Sequence, residues 1–180
     1  MLSPCGRYAL VYNGEIYNNM EIRKQTEIEG DHFAWKGHSD TETLLAALRH
    51  WGLERTLYRL NGMFAFALWD RREQALFLVR DRMGIKPLYF GHSNGVFLFG
   101  SELKALKAHP AWSGEVDRDV LTLFLRYSYV PAPWSIYKGI FKLLPAHFVV
   151  VKENGKAVSR PNCYWELEKI AESGRSRVQG

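Results

Sequence analysis

The residues able to do chemistry fall in a few short runs. Asn13-Gly14-Glu15-Ile16-Tyr17-Asn18 sets an amide, a glycine and a carboxylate side by side, directly after the β-forming run Arg7-Tyr8-Ala9-Leu10-Val11-Tyr12. The strand is expected to stop at Asn13-Gly14, a turn pair, and a loop closing a strand is a good place for chemistry. Taken alone, the pair is an ordinary turn. Ser39-Asp40-Thr41-Glu42 offers two further carboxylates, but the same four residues read as a capping box at a helix start. Arg80-Asp81-Arg82-Met83-Gly84-Ile85-Lys86-Pro87 is a charged loop. The two thiols, Cys5 and Cys163, show no CxxC spacing, and the six histidines show no HxxxH spacing, so a metal site is not expected.

Elements must position these groups. Asn18 to about Glu29 reads as a polar surface helix stopped at Gly30. Ser39 or Asp40 can cap a second helix, in which Leu44, Leu45, Leu48 and Trp51 recur at helical spacing and Gly52 supplies the stop. Met63–Trp69 and Ala75–Arg80 flank a polar turn and predict a β-hairpin. Pro87–Gly91 and Val96–Gly100, joined through Asn94-Gly95, predict another. Helices are expected over Glu102–Lys107 and Asp119–Tyr127, the latter capped by Asp117, and a late strand over Phe148–Lys152. Beyond Trp165 the sequence turns polar and is expected to fray. Two helices followed by antiparallel strands give an α+β layering, with helices over one face of a sheet.

With 180 residues, close to half of them hydrophobic, the chain can build one domain core. The formal charge of +5 is spread among 19 acidic residues and forms no basic run, so nucleic-acid binding is not expected. No stretch is apolar enough to span a membrane, and the first residues do not form a signal peptide. Two cysteines make no disulfide framework, and a cytoplasmic setting is expected.

Read together, the Asn13–Asn18 run, Ser39–Glu42, Leu60-Asn61-Gly62-Met63-Phe64-Ala65-Phe66, the loop Arg80–Tyr89 and Ser101-Glu102-Leu103-Lys104-Ala105-Leu106 closely resemble the class II glutamine amidotransferase domain of asparagine synthetases. The resemblance runs from about Ser3 to Trp165. It implies residues 1–165 as an amidotransferase domain and 166–180 as a polar tail or the start of a linker. The implied fold is a four-layer αββα N-terminal-nucleophile sandwich of antiparallel sheets. In such a fold the first residue of the mature chain is a cysteine, which attacks the side-chain amide of glutamine with its own α-amino group as base. Asn13 and Gly14 match the oxyanion pair: an Asn amide donates without a charge, and Gly lets the backbone approach the substrate with no Cβ in the way. Glu15 and Asp40 match the acids that hold the α-amino group of glutamine. For Asp40 a helix cap and this role are compatible. The charged loop and Ser101-Glu102 are assigned structural roles.

The sequence also departs from that pattern. The family begins Met-Cys-Gly, whereas here Leu2 follows Met1, and the nitrogen of Cys5 is tied up in a peptide bond. The upstream arginine for the glutamine carboxylate and the first strands are missing too, so the sandwich is expected to be incomplete, sticky and inactive as it stands. No cofactor is implied for glutamine hydrolysis. ATP and magnesium belong to a synthetase domain whose Ser-Gly-Gly-x-Asp-Ser loop does not occur here. The partners implied are glutamine and that synthetase domain, with a homodimer left open. The first expectation is therefore a glutaminase-domain fragment of an asparagine synthetase-like amidotransferase. Two alternatives stand beside it: a non-catalytic binding module, and an amidotransferase modifying surface polysaccharides or peptides.

Overall fold

Alternating side chains along the strands give each sheet two unlike faces, and the layers follow from what each face covers. A computed structural model describes residues 1–30 and 33–178. In chain order the elements are β1 (Tyr8–Ile16), α1 (Asn19–Ile28), α2 (Asp40–Trp51), α3 (Leu53–Arg59), β2 (Gly62–Asp70) and β3 (Ala75–Arg80). They continue with β4 (Tyr89–Ser93), β5 (Val96–Gly100), α4 (Leu103–Lys107), α5 (Arg118–Tyr127) and β6 (Ile140–Lys142). The last are β7 (His147–Lys152), β8 (Ala157–Val158), β9 (Asn162–Cys163) and α6 (Leu167–Val178). One sheet runs in the order β1-β2-β3-β7-β8 with β9 also on β7, and the other runs β5-β4-β6. Every pairing is antiparallel.

On the helix side of the larger sheet, Leu10, Ile16, Phe64, Phe66 and Val79 are buried with Leu44, Leu45 and Leu48 of α2 and Leu57 of α3. Each such side chain contributes roughly 1.5–3 kcal/mol by leaving water. The opposite face presents Ala65, Ala67, Leu78 and Val149 to Leu88, Phe90 and Leu143 of the smaller sheet's side. Beyond that sheet, Leu98 and Ile140 meet Leu106 of α4. The layers are thus α, β, β, α: the four-layer sandwich of antiparallel sheets expected from the resemblance. Its last layer is thin, because α4 has five residues and α5 buries only Val120.

Local signals translate well. The Ser39 side chain caps α2 by accepting from Thr41 N, and Gly52 closes the helix at φ 76°. Asp117 caps α5 through Asp119 N and Val120 N. Asn94 and Gly95 both take positive φ, as a tight hairpin turn between twisted strands requires.

Three expectations are corrected. β1 does not stop at Asn13-Gly14 but runs on to Ile16, paired residue by residue with β2. The segment after Trp165 is helical rather than irregular: Leu, Glu, Lys and Ala favour a helix, and Lys169 pairs with Glu166. Leu167 and Ile170 of this helix remain exposed, and residues 179 and 180 lie outside the described residues. Elements α3, β6, β8 and β9 are additional to those expected, all of them short.

The charged loop after β3 is a structural knot. The fully buried carboxylate of Asp81 accepts from Phe64 N, Met83 N, Ile85 N and Lys86 N. Arg80 donates to the carbonyls of Gly84, Lys86 and Leu143. Between them the buried carboxylate and the guanidinium satisfy the Met83, Ile85 and Lys86 N–H groups and the Gly84 and Lys86 carbonyls of this tight loop.

Candidate functional site

The far end of β1 is held closely against β2 by two glycines. A Cβ on Gly14 would stand 2.2 Å from the Met63 carbonyl oxygen, and one on Gly62 2.2 Å from that of Glu15. Gly14 lies opposite Phe64 and Gly62 opposite Ile16, so the two glycines bring the strands together on either side of the Glu15–Met63 pair. Asn18 clips the same end by donating to Arg59 O and accepting from Asn61 N.

Among the described residues no strand pairs with the outer edge of β1 at this end. Leu10 N bonds Met1 O on that edge and Ile16 N bonds Asp40 there, so the alternation along the strand also turns the Gly14 N–H outward, away from β2. Asp40, 24 residues further along the chain, reaches the same edge: its Oδ2 accepts from Ile16 N at 3.0 Å and from Tyr12 Oη at 2.8 Å. It is therefore the first residue of α2 and not its cap, a role Ser39 fills. Glu42 does not close a capping box either. It accepts from Lys36 N and Gly37 N beside Arg23, whose guanidinium also binds Thr43, Gly37 and Ser39.

Asn13 and Glu15 project from the face of β1 opposite to Leu10 and Ile16 and are exposed. The Asn13 amide Nδ2 donates to Ser101 Oγ at 3.1 Å, so the residue after β5 in the second sheet touches the first. One of the two amide hydrogens is used there, and the other remains. Tyr12, Asn13, Phe99, Gly100 and Ser101 line a cavity of about 170 Å³ at this junction. A larger cavity, about 520 Å³, lies between Met1–Pro4 and the loop leading to Ser39.

Asn13, Gly14, Glu15 and Asp40 are thus gathered at one end of one strand. Sequence reasoning missed Tyr12 and reduced Ser101 to a helix start. Nothing in a linear pattern marks a hydroxyl 88 residues away as the neighbour of an amide.

Neither thiol lies beside these residues. Cys5 precedes β1 at the turn where Ser3 N bonds Tyr8 O, and Tyr8 faces Asp70. Tyr8 and Asn13 are five residues apart, roughly 17 Å at the rise of a strand. A hydrogen bond with Ser3 and the Arg7 N–H hold the Cys5 thiol below its usual pKa, at a distance from Asn13 and Gly14. Cys163, exposed on β9, shares the Asn13 end of the sheet but stands four strands across from β1, roughly 19 Å at the usual strand spacing.

Solved structures share this fold. The chain superposes on glutamine phosphoribosylpyrophosphate amidotransferase from Bacillus subtilis with a TM-score of 0.58 over 89% of its length and 30% of that chain, at 19% identity. The architecture is that of the N-terminal-nucleophile amidotransferases. The family model of the glutamine amidotransferase domain matches residues 1–165, and the chain belongs to that family. It is 40% identical over 162 residues to the glutamine-hydrolysing asparagine synthetase 3 of Bacillus subtilis, covering 89% of this chain and 25% of that one. It is also 35% identical over 179 residues to amidase chyE of Penicillium rubens, covering 94% of this chain and 25% of that one. The chain thus spans about a quarter of the length of the curated relatives it matches. Among the described residues no helix is long and apolar enough to cross a membrane.

Proposed function

We propose that this chain is the glutaminase part of an asparagine-synthetase-like, ATP-dependent amidotransferase, releasing ammonia from glutamine to amidate aspartate or a related carboxylate. The observation that carries the reading is the convergence of an uncharged amide, an outward backbone N–H and a fixed carboxylate on the open end of β1. A thiolate attacking the glutamine side-chain carbonyl drives the electron pair of the C=O bond onto oxygen. The free N–H of the Asn13 amide and the Gly14 N–H are the donors that receive this oxyanion. The α-amino group that took the thiol proton passes it to the amide nitrogen, the C–N bond breaks as the tetrahedral adduct collapses to the thioester and ammonia leaves, and water then cleaves the thioester to glutamate and restores the thiol. Glu15 and Asp40 take the α-ammonium group, whose charge needs acidic partners once water is excluded.

Cys5 stands beyond the far end of β1 and Cys163 four strands across the sheet, so neither is placed to attack an amide held at Asn13-Gly14. On this reading the attacking cysteine is the first residue of the mature chain, as the family resemblance implies. Hydrolysis requires no cofactor from these residues, and ATP and magnesium serve the acceptor-activating part. Two free cysteines fit a reducing, cytoplasmic site of action. The similarity to a protein named as an amidase supports a second reading, in which the same glutaminase half serves an acceptor other than aspartate.

Glutamate release from the 180-residue chain and from a version carrying the upstream coding sequence tests the proposal. Activity confined to the longer form is expected. Equal activity in the short form overturns the placement of the nucleophile, with Cys5→Ser as the next variant. Glutamine binding without hydrolysis in both forms favours a non-catalytic module.

A further inference from the structure

We propose that Tyr12 is a positioning residue for recognition of the glutamine α-ammonium group, acting through Asp40. The inference rests on the reading of Asp40 given above and adds a residue to it. Both donors that reach the Asp40 carboxylate, Tyr12 Oη at 2.8 Å and Ile16 N at 3.0 Å, converge on the same oxygen, Oδ2. Among the described residues Oδ1 accepts no hydrogen bond, so the carboxylate is pinned by one oxygen and presents the other. Two donors fix the rotation of the carboxylate plane where one would leave it free, and a hydrogen bond to an ionised acceptor is stronger than a neutral one.

Tyr12 is suited to this task by its setting. Its ring packs against the cluster containing Leu10, Ile16 and Leu44, so the hydroxyl is held from behind by apolar contacts. Burial and the adjacent Asp40 raise its pKa far above the phenol range, which keeps the proton on the oxygen as a donor at any working pH. The ring sits on the helix side of β1, whereas Asn13 projects from the other face. Tyr12 bonds Asp40, whereas the Asn13 amide bonds Ser101, so Tyr12 bears on the ammonium end of the ligand through Asp40 and not on the reacting amide.

That division makes the proposal separable from a general effect on stability. Calorimetric titration of the full-length protein with glutamine, and with 4-carbamoylbutanoate, which is glutamine without its amino group, reads the two ends independently. Tyr12→Phe is expected to weaken glutamine about tenfold and to leave the analogue unchanged, with no further loss when placed on Asp40→Asn. Equal weakening of both ligands, unchanged glutamine affinity, or an additional loss on Asp40→Asn would overturn the role of Tyr12 while leaving the glutaminase reading intact. If the unaltered protein binds both ligands equally, Asp40 does not bind the ammonium group, and the proposal falls with that assignment.

Discussion

At the scale of single residues, a motif that reads as a turn is a strand in which glycine is required by the neighbouring strand. The contact behind Gly14 is backbone, the Met63 carbonyl, which cannot swing aside as a side chain could. Gly14→Ala is therefore expected to lower the unfolding free energy by roughly 1–3 kcal/mol, the usual cost of overpacking, as measured by urea denaturation. An unchanged midpoint would mean that β1 and β2 separate freely at this end. The residue types of the candidate site were legible in the sequence, and the family resemblance grouped Asn13, Gly14, Glu15 and Asp40, which the fold brings to one end of β1. What could not be read was which neighbours hold them. The bonds from Tyr12 to Asp40 and from Asn13 to Ser101 depend on tertiary placement across 28 and 88 residues.

At the scale of elements, long periodic segments and turn signals carried the prediction, and short segments escaped it. The helix α2 and both hairpins announce themselves through spacing and through Gly52 or Asn94-Gly95. By contrast, α3 has seven residues and β6 three, too few to display a period. The start of β1 is fastened to the β2–β3 turn by Arg7, whose Nε and Nη2 grip Asp70, while Arg72 N and Glu73 N bond the same carboxylate. Burial opposes the charge on Asp70, but Arg7 and the two N–H groups outweigh it and hold its pKa below the ordinary carboxylate value. A depressed folded-state pKa gives stability that is full above the unfolded value, near ~3.9, and is lost as pH falls through the folded one. Denaturation midpoints should accordingly drop on acidification below about pH 4, and Asp70→Asn should remove part of that drop while lowering stability at pH 7. A pH profile identical in the variant would show that the clamp does not govern this end of the sheet.

At the scale of the whole molecule, the candidate site depends on two sheets meeting. Asn13 belongs to the larger sheet and Ser101 follows the last residue of β5 in the smaller one, so sandwich packing fixes the direction of the amide. Periodicity alone led only to an α+β layering. The two facing sheets came from the family resemblance, because the pairing of Ala65, Ala67, Leu78 and Val149 with Leu88 and Phe90 joins segments distant in sequence. On the proposed reading, the oxyanion donors stand on the scaffold before substrate arrives. The most direct test is the steady-state glutaminase kinetics of Asn13→Ala in the protein carrying its upstream coding sequence. A fall in kcat of about 10²–10³ with KM nearly unchanged is predicted, as expected for loss of one oxyanion donor. Wild-type kcat in that variant would contradict the account and remove the end of β1 from the chemistry.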